Sequence, residues 1–265
     1  MIKIIFLSDI IGKIGRNAVR QCLPALKKQY HPDLIIANAE NLAHGIGFTP
    51  KTLNEILEAG VDICTSGNHA WEKADADESL NRPDPKVIRP ANYPAKKSGV
   101  GYKVIKIGQN KLIVVNLLGR VFIEDKVADP FKTMRKIIKT EGKALYFVDF
   151  HAEATSEKTA FAQYFDGETA AVIGTHTHVQ TADERILEQG AGYLTDAGMI
   201  GYYDSVIGAD KQQIFNLFLE SGQTSKKHDL PSTGKCLFNG VYLELDEKTG
   251  KCKKIKRINK VISVK

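Results

Sequence analysis

The stretch Ala170-Ala171-Val172-Ile173-Gly174-Thr175-His176-Thr177-His178 decides how the chain is read. Its four leading apolar residues make the short unbroken run of a strand buried on both faces. Gly174 then frees the backbone, and two histidines follow, two residues apart. In extended chain, residues i and i+2 point the same way. The imidazoles of His176 and His178 can therefore converge at the strand's carboxyl end. A lone His-x-His pair is weak, so its weight depends on what other strands carry there.

The same alternation of apolar runs and helical patterns extends through the first half. Residues 3–7, 33–37 and 61–65 read as strands, and 15–30 and 50–60 as helices. Thr49 is placed to cap the second helix, with Pro50 at its first position and Gly60 closing it. A β-α-β-α-β order argues for an α/β protein with a mostly parallel sheet. Pro83, Pro85, Pro90 and Pro94 interrupt regular structure. Residues 101–107 and 111–117 then read as a hairpin around Gly108-Gln109-Asn110. Further on come a helix at 130–140, a strand at 144–150, a helix at 156–165, a strand at 192–196 and a helix at 211–219. Residues 235–245 and 251–264 close the chain as an antiparallel pair. With no internal repeat and no long linker, the expectation is one domain spanning 1–265.

The 265 residues are 43% hydrophobic and 26% charged, as in an ordinary globular protein. No apolar run approaches the roughly 18 residues that cross a bilayer, so no membrane partner is expected. Four cysteines at 22, 64, 236 and 252 show no Cys-x-x-Cys spacing. Without an export signal they read as reduced thiols of a cytoplasmic protein. The net charge of +6 is compatible with anionic substrates and does not demand nucleic acid. Lys253, Lys254, Lys256 and Lys260 concentrate charge near the end. Their interleaving with Cys252, Ile255, Ile258 and Val261 favours a guarded edge strand over a nucleic-acid interface.

Five strand ends carry chemistry. They are Ser8-Asp9, Asn38-Ala39-Glu40-Asn41, Ser66-Gly67-Asn68-His69, Asp149-Phe150-His151 and Gly174 to His178. Open α/β sheets bind ligands outside the carboxyl ends of their strands. Carboxylates, amides and imidazoles without thiolate suit Mn, Fe, Zn or Mg better than copper. The supply, six or seven ligands, fits two metals sharing one carboxylate. Two such ions about 3.5–4 Å apart can clamp a phosphate and activate water.

These residues resemble the calcineurin-type metallophosphoesterases, whose marks are the Gly67-Asn68-His69 and Gly174-x-His176-x-His178 blocks. The chain is still more similar to the YmdB-like bacterial phosphodiesterases. That resemblance is carried by Ile11 to Arg16, Ala39 to Gly45, Arg89-Pro90-Ala91-Asn92, Asp149 to Lys158, Thr175 to Asp183 and Leu194 to Met199. Two departures from the broad family pattern are shared with the YmdB-like group. No histidine follows Asp9, and Glu40 stands where an aspartate bridge is usual.

The resemblance implies a two-sheet core flanked by helices (α/β/β/α). It implies one metal on Asp9, Glu40, Asn41 and His178, and a second on Glu40, Asn68, His151 and His176, with iron or manganese ahead of magnesium or zinc. His69 would be the general acid and a metal-bridging hydroxide the nucleophile. The substrate would be a small-molecule or RNA-derived phosphodiester, 2′,3′-cyclic nucleotides among them. A phosphomonoesterase acting on nucleotides or phosphoproteins is the alternative enzyme. A regulator that keeps the metal shell but binds RNA or protein is the alternative outside catalysis. A homo-oligomer is compatible with all three. Arg16 is open to phosphate contact or helix solvation, 89–92 to substrate contact or a structural turn, and His44 to the site's border or a loop. His228 is expected at the surface.

Overall fold

Strands that are apolar at every position need cover on both faces, and this fixes the layering. The computed structural model describes residues 1–219 and 230–265; His228 lies outside them. In chain order the elements are β1 (Ile2–Leu7), β2 (Asp9–Ile10), α1 (Gly12–Tyr30), β3 (Leu34–Asn38), α2 (Pro50–Glu58), β4 (Ile63–Thr65) and α3 (Ala76–Leu80). Then come β5 (Tyr102–Ile107), β6 (Asn110–Leu118), α4 (Pro130–Glu141), β7 (Leu145–His151), α5 (Thr155–Tyr164) and β8 (Ala171–Thr175). The last are β9 (Arg185–Ile186), β10 (Gly192–Leu194), β11 (Met199–Tyr202), α6 (Lys211–Leu219), β12 (Gly234–Leu245) and β13 (Cys252–Val264).

One sheet runs β2-β11-β12-β1-β3-β4, with β13 also paired to β12. Within it β1, β3 and β4 are parallel, and β12 is antiparallel to β1, β11 and β13. The other runs β5-β6-β7-β8-β10-β9, parallel from β6 to β10 with an antiparallel strand at each edge.

Alternate residues of each strand face different layers. On β1, Ile4 and Phe6 join Leu112, Val114, Phe147, Ile173 and Leu243 between the sheets. Ile5 and Leu7 turn to the opposite face, under Ile14, Val19 and Leu23 of α1 and Leu53 of α2. On β6 and β7, Ile113, Val115, Val148 and Phe150 pack under Met134 of α4 and Phe161 of α5. The result is helix, sheet, sheet, helix, the expected α/β/β/α order.

Local signals act as anticipated at α2. The Thr49 side chain accepts from the Thr52 N–H while Thr52 Oγ1 accepts from the Thr49 N–H, a reciprocal cap of about 1 kcal/mol. Elsewhere the structure corrects the reading. The hairpin turn is the two-residue pair Gly108-Gln109, with Asn110 already paired to Ile107. Helix α1 starts at Gly12, three residues early. Strands β2, β9 and β11 and helix α3 were not anticipated. Arg16 does not meet solvent or an open anion site: it is buried, donating to Glu55 Oε2 at 2.7 Å and to the Leu42 carbonyl. Asn92 bonds the backbone of Leu118 and Ala128, so the 89–92 turn is structural. His44 is an exposed loop residue. β13 is paired through β12 alone, and Lys253, Lys254, Lys256 and Lys260 are exposed along it, as an edge guard requires.

Candidate metal centre

The parallel strands of both sheets deliver their carboxyl ends to one place. From the first sheet come Asp9 just past β1, Glu40 and Asn41 past β3, and Asn68 and His69 past β4. From the second come His151, ending β7, and His176 and His178 past β8. Glu40 Oε1 lies 3.1 Å from His151 Nε2. His151 Nε2 lies 3.0 Å from His176 Nδ1. On the other side of Glu40, Asn41 Nδ2 is 3.3 Å from its Oε1 and 3.2 Å from His178 Nε2. Asp9 Oδ1 is 3.8 Å from that same His178 nitrogen. The titratable candidates fall into two groups that could hold a metal ion, Glu40-His151-His176 and Asp9-Glu40-His178, each with its donor atoms within 4.8 Å of one another. Glu40 belongs to both.

Two observations test whether cations fit. Asp9 Oδ1 and Asn68 Oδ1 are buried without any hydrogen-bond partner, although buried acceptors are nearly always paired because leaving one unpaired costs free energy. The donor set is two carboxylates, three imidazoles and two amides, suited to hard or borderline divalent ions. Both observations favour divalent cations.

Each histidine turns one nitrogen inward and has the other engaged outside. His151 Nδ1 is 2.9 Å from Thr175 Oγ1, His178 Nδ1 donates to the Ile207 carbonyl at 2.7 Å, and His176 Nε2 is 3.2 Å from Glu153 Oε2. Outer partners of this kind orient imidazole ligands. Glu153, Thr175 and Ile207 were missed as partners, although the first two lie in stretches that carried the resemblance. Ile207 acts through its carbonyl, so its side chain gives no signal.

The protonation of the cluster follows from its burial. Burial pushes Asp9 up to about 7, against the pull of His178 and His151. Burial also works to raise Glu40, but the His151 charge and hydrogen bond outweigh it and hold Glu40 well below the carboxylate range. Burial opposes charge on His151, yet Glu40 beside it lifts the imidazole to about 9. His176 falls to about 3, first through burial and then through the charge on His151. Near neutral pH the cluster thus keeps a proton on His151 facing the ionised Glu40, while His176 stays neutral.

His176 and His178 hold positive φ angles of 102° and 64°, a strained backbone for a non-glycine residue. Asp196 braces the turn between them, accepting from the Thr177 N–H at 3.1 Å, the Gly198 N–H at 2.9 Å and Lys158 Nζ at 2.7 Å. Gly67 and Gly174 permit the close approach. A Cβ at Gly67 would strike the Glu40 carboxylate and the His151 ring, and one at Gly174 the Thr195 carbonyl.

Of the candidate ligands, Glu40, Asn41, His176 and His178 form part of the wall of a cavity of about 390 Å³. Its apolar wall is Ile11, Ile46, Ile207, Ala209 and Ile214. His69 lines it too, its Nδ1 3.5 Å from Glu72 Oε1 and its Nε2 3.5 Å from Asn68 Nδ2.

The profile of the YmdB-like protein family matches residues 5–258. The chain belongs to the YmdB-like family. Among its relatives is the 2′,3′-cyclic-nucleotide 2′-phosphodiesterase of Bacillus subtilis (strain 168). That protein is 41% identical over 263 residues, covering 97% of this chain and 96% of the relative. A crystal structure described as a novel phosphatase from Mycoplasma pneumoniae superimposes with a TM-score of 0.90 at 40% identity, covering 98% of this chain and 93% of that one. A Thermus thermophilus protein, solved as a hypothetical protein, also gives 0.90, at 35% identity over the whole of both chains. The YmdB-like match runs from β1 into β13 and so includes every candidate ligand.

Proposed function

We propose that this YmdB-like chain is a hydrolase of phosphodiesters, with 2′,3′-cyclic nucleotides as the substrate class, working with two divalent cations. Asp9, Glu40, Asn41 and His178 hold one, and Glu40, Asn68, His151 and His176 the other. The observation that carries this reading is Glu40, common to two groups of close ligand atoms, with the buried oxygens of Asp9 and Asn68 left orphaned. The B. subtilis relative supplies the substrate class. Iron or manganese is the pair proposed, on a donor set that zinc and magnesium also suit. All four thiols are free, which suits a reducing compartment such as the cytoplasm. No helix among the described residues is long and apolar enough to cross a membrane.

Bound cations would neutralise phosphate charge and make water a nucleophile near neutral pH. The chain supplies the rest. Water adds at phosphorus, the P–O2′ bond breaks, and the 2′ oxygen needs a proton as it leaves. His69, on the cavity wall, gives that proton from its ring. The apolar wall of Ile11, Ile46, Ile207 and Ile214 takes the nucleoside and excludes water from that side. Asn41 contributes its amide oxygen after a half-turn about its side-chain axis, which exchanges the oxygen for the Nδ2 now facing Glu40 and His178.

The test is hydrolysis of 2′,3′-cyclic AMP and of a simple phosphomonoester by metal-stripped protein reloaded with manganese or iron. Metal-dependent release of the 3′-monophosphate, lost in Asp9→Asn and weak on the monoester, supports the proposal. Turnover indifferent to metal, or none with any metal tried, overturns it. Preference for the monoester moves the function to a phosphomonoesterase.

A further inference from the structure

Asp149 is wholly buried, touches no part of the cavity, and lies between the two sheets directly beneath the centre. Its Oδ1 accepts from Thr175 Oγ1 at 2.6 Å on neighbouring β8. Its Oδ2 accepts from Asn38 Nδ2 at 3.1 Å, at the end of β3, and from Thr65 Oγ1, at the end of β4. One carboxylate therefore ties two strands of the first sheet to two of the second.

Counting protons along these bonds gives them a direction. A carboxylate only accepts, so the single hydroxyl proton of Thr175 is committed to Asp149. Thr175 Oγ1 can then only accept from its other neighbour, His151 Nδ1 at 2.9 Å. The proton of a neutral His151 must sit on Nδ1, which leaves the lone pair of Nε2 aimed at Glu40 and His176. The other arm of Asp149 works on the backbone. Asn38 spends its amide on Asp149 and accepts the Glu40 N–H on its Oδ1 at 3.0 Å. The path Glu40, Asn38, Asp149, Thr175, His151 closes on itself where Glu40 meets His151.

We infer that Asp149, acting through Thr175, is a positioning residue that fixes the Nδ1–H tautomer of His151 and holds Glu40 in the same cross-sheet frame. This rests on the proposed metal reading, since the tautomer matters only if Nε2 is a ligand. Neither residue touches substrate. Their effect is on the readiness of His151 and Glu40 to receive a cation.

The experiment combines zinc titration by calorimetry of stripped wild type, Thr175→Val and Thr175→Ser with nitrogen-15 NMR of the His151 ring in zinc-loaded wild type. The expected spectrum has the proton on Nδ1. Thr175→Val, which keeps the shape and deletes the hydroxyl, weakens zinc binding by about 10–100-fold, and Thr175→Ser recovers it. A proton on Nε2, or Thr175→Val binding zinc as wild type does, overturns the inference. A contact that merely supports the fold would lower the thermal midpoint of the stripped variant and leave its zinc affinity in place, and that result also overturns it. Should Thr175→Val fail to fold, the wild-type ring spectrum decides alone. Wild type that binds no zinc removes the metal centre itself, and this inference with it.

Discussion

Glu40 and His151 come from different sheets and meet with Oε1 3.1 Å from Nε2, both out of reach of solvent. Two folding layers are thus joined by a carboxylate and an imidazole that each have a second task. Without a cation, their mutual charge satisfies a site that would otherwise bury like groups. In the proposed centre both would become ligands, and the proton they share would have to leave.

This exchange of proton for metal sets a pH dependence. His151 is raised from 6.5 to about 9, so its contribution to stability is complete below 6.5 and is lost as pH climbs through 9. Asp9, raised from 3.8 to about 7, acts in the same direction, losing its contribution as pH rises towards 7. Glu40, held below its ordinary 4.5, contributes above that pH and is constant across the neutral range. Metal-stripped protein should therefore unfold at a lower temperature at about pH 9 than at about pH 6, and the gain from added metal should be larger at the higher pH. Calorimetry in chelator checks both. A stripped midpoint that is flat or rising, with His151→Asn indistinguishable from wild type, contradicts the assignment.

Gly67 is a packing requirement of the same contact. Its missing Cβ leaves room for the Glu40 carboxylate and the His151 ring. Gly67→Ala should remain folded by circular dichroism and bind metal at least about tenfold more weakly, since both ligands must move. Unchanged metal affinity would show that Glu40 and His151 have slack.

Lys158 and Asp196 form an ion pair in which each side chain is only 1% exposed. Lys158→Met removes the counter-charge while Asp196 still holds the Thr177 N–H. The expected cost is about 3–5 kcal/mol in urea unfolding, because an uncompensated carboxylate stays buried. Asp196→Asn leaves the Lys158 ammonium buried without its counter-charge and should cost a similar amount, although the amide oxygen can still accept from that backbone. A loss under about 1 kcal/mol in both variants would mean that the turn at His176 to His178 depends on packing instead.

Much of this was legible in the sequence. Buried parallel strands declare themselves as unbroken apolar runs, and the residues following them fall at one end of the sheet by topology alone. Asp9, Glu40, His151, His176 and His178 could be gathered that way. Strands such as β2, β9 and β11 could not, because two to four residues carry no period and their partners determine them. Asp149 alternates with buried apolar residues along β7 and gives no hint that it faces Asn38 across the sandwich. Arg16, at a helix start, reads as open to phosphate contact or helix solvation; Glu55 on α2 and the Leu42 carbonyl bury it instead. The apolar wall of the cavity combines Ile11, Ile46 and Ile207, which no local pattern connects.

The central claim is that Glu40 is shared by two cations. Manganese titration of stripped protein, followed by electron paramagnetic resonance, tests it most directly. The account predicts two ions per chain with an exchange-coupled spectrum, and in Glu40→Gln the loss of that coupling. One ion per chain with an isolated manganese signal in wild type would contradict it.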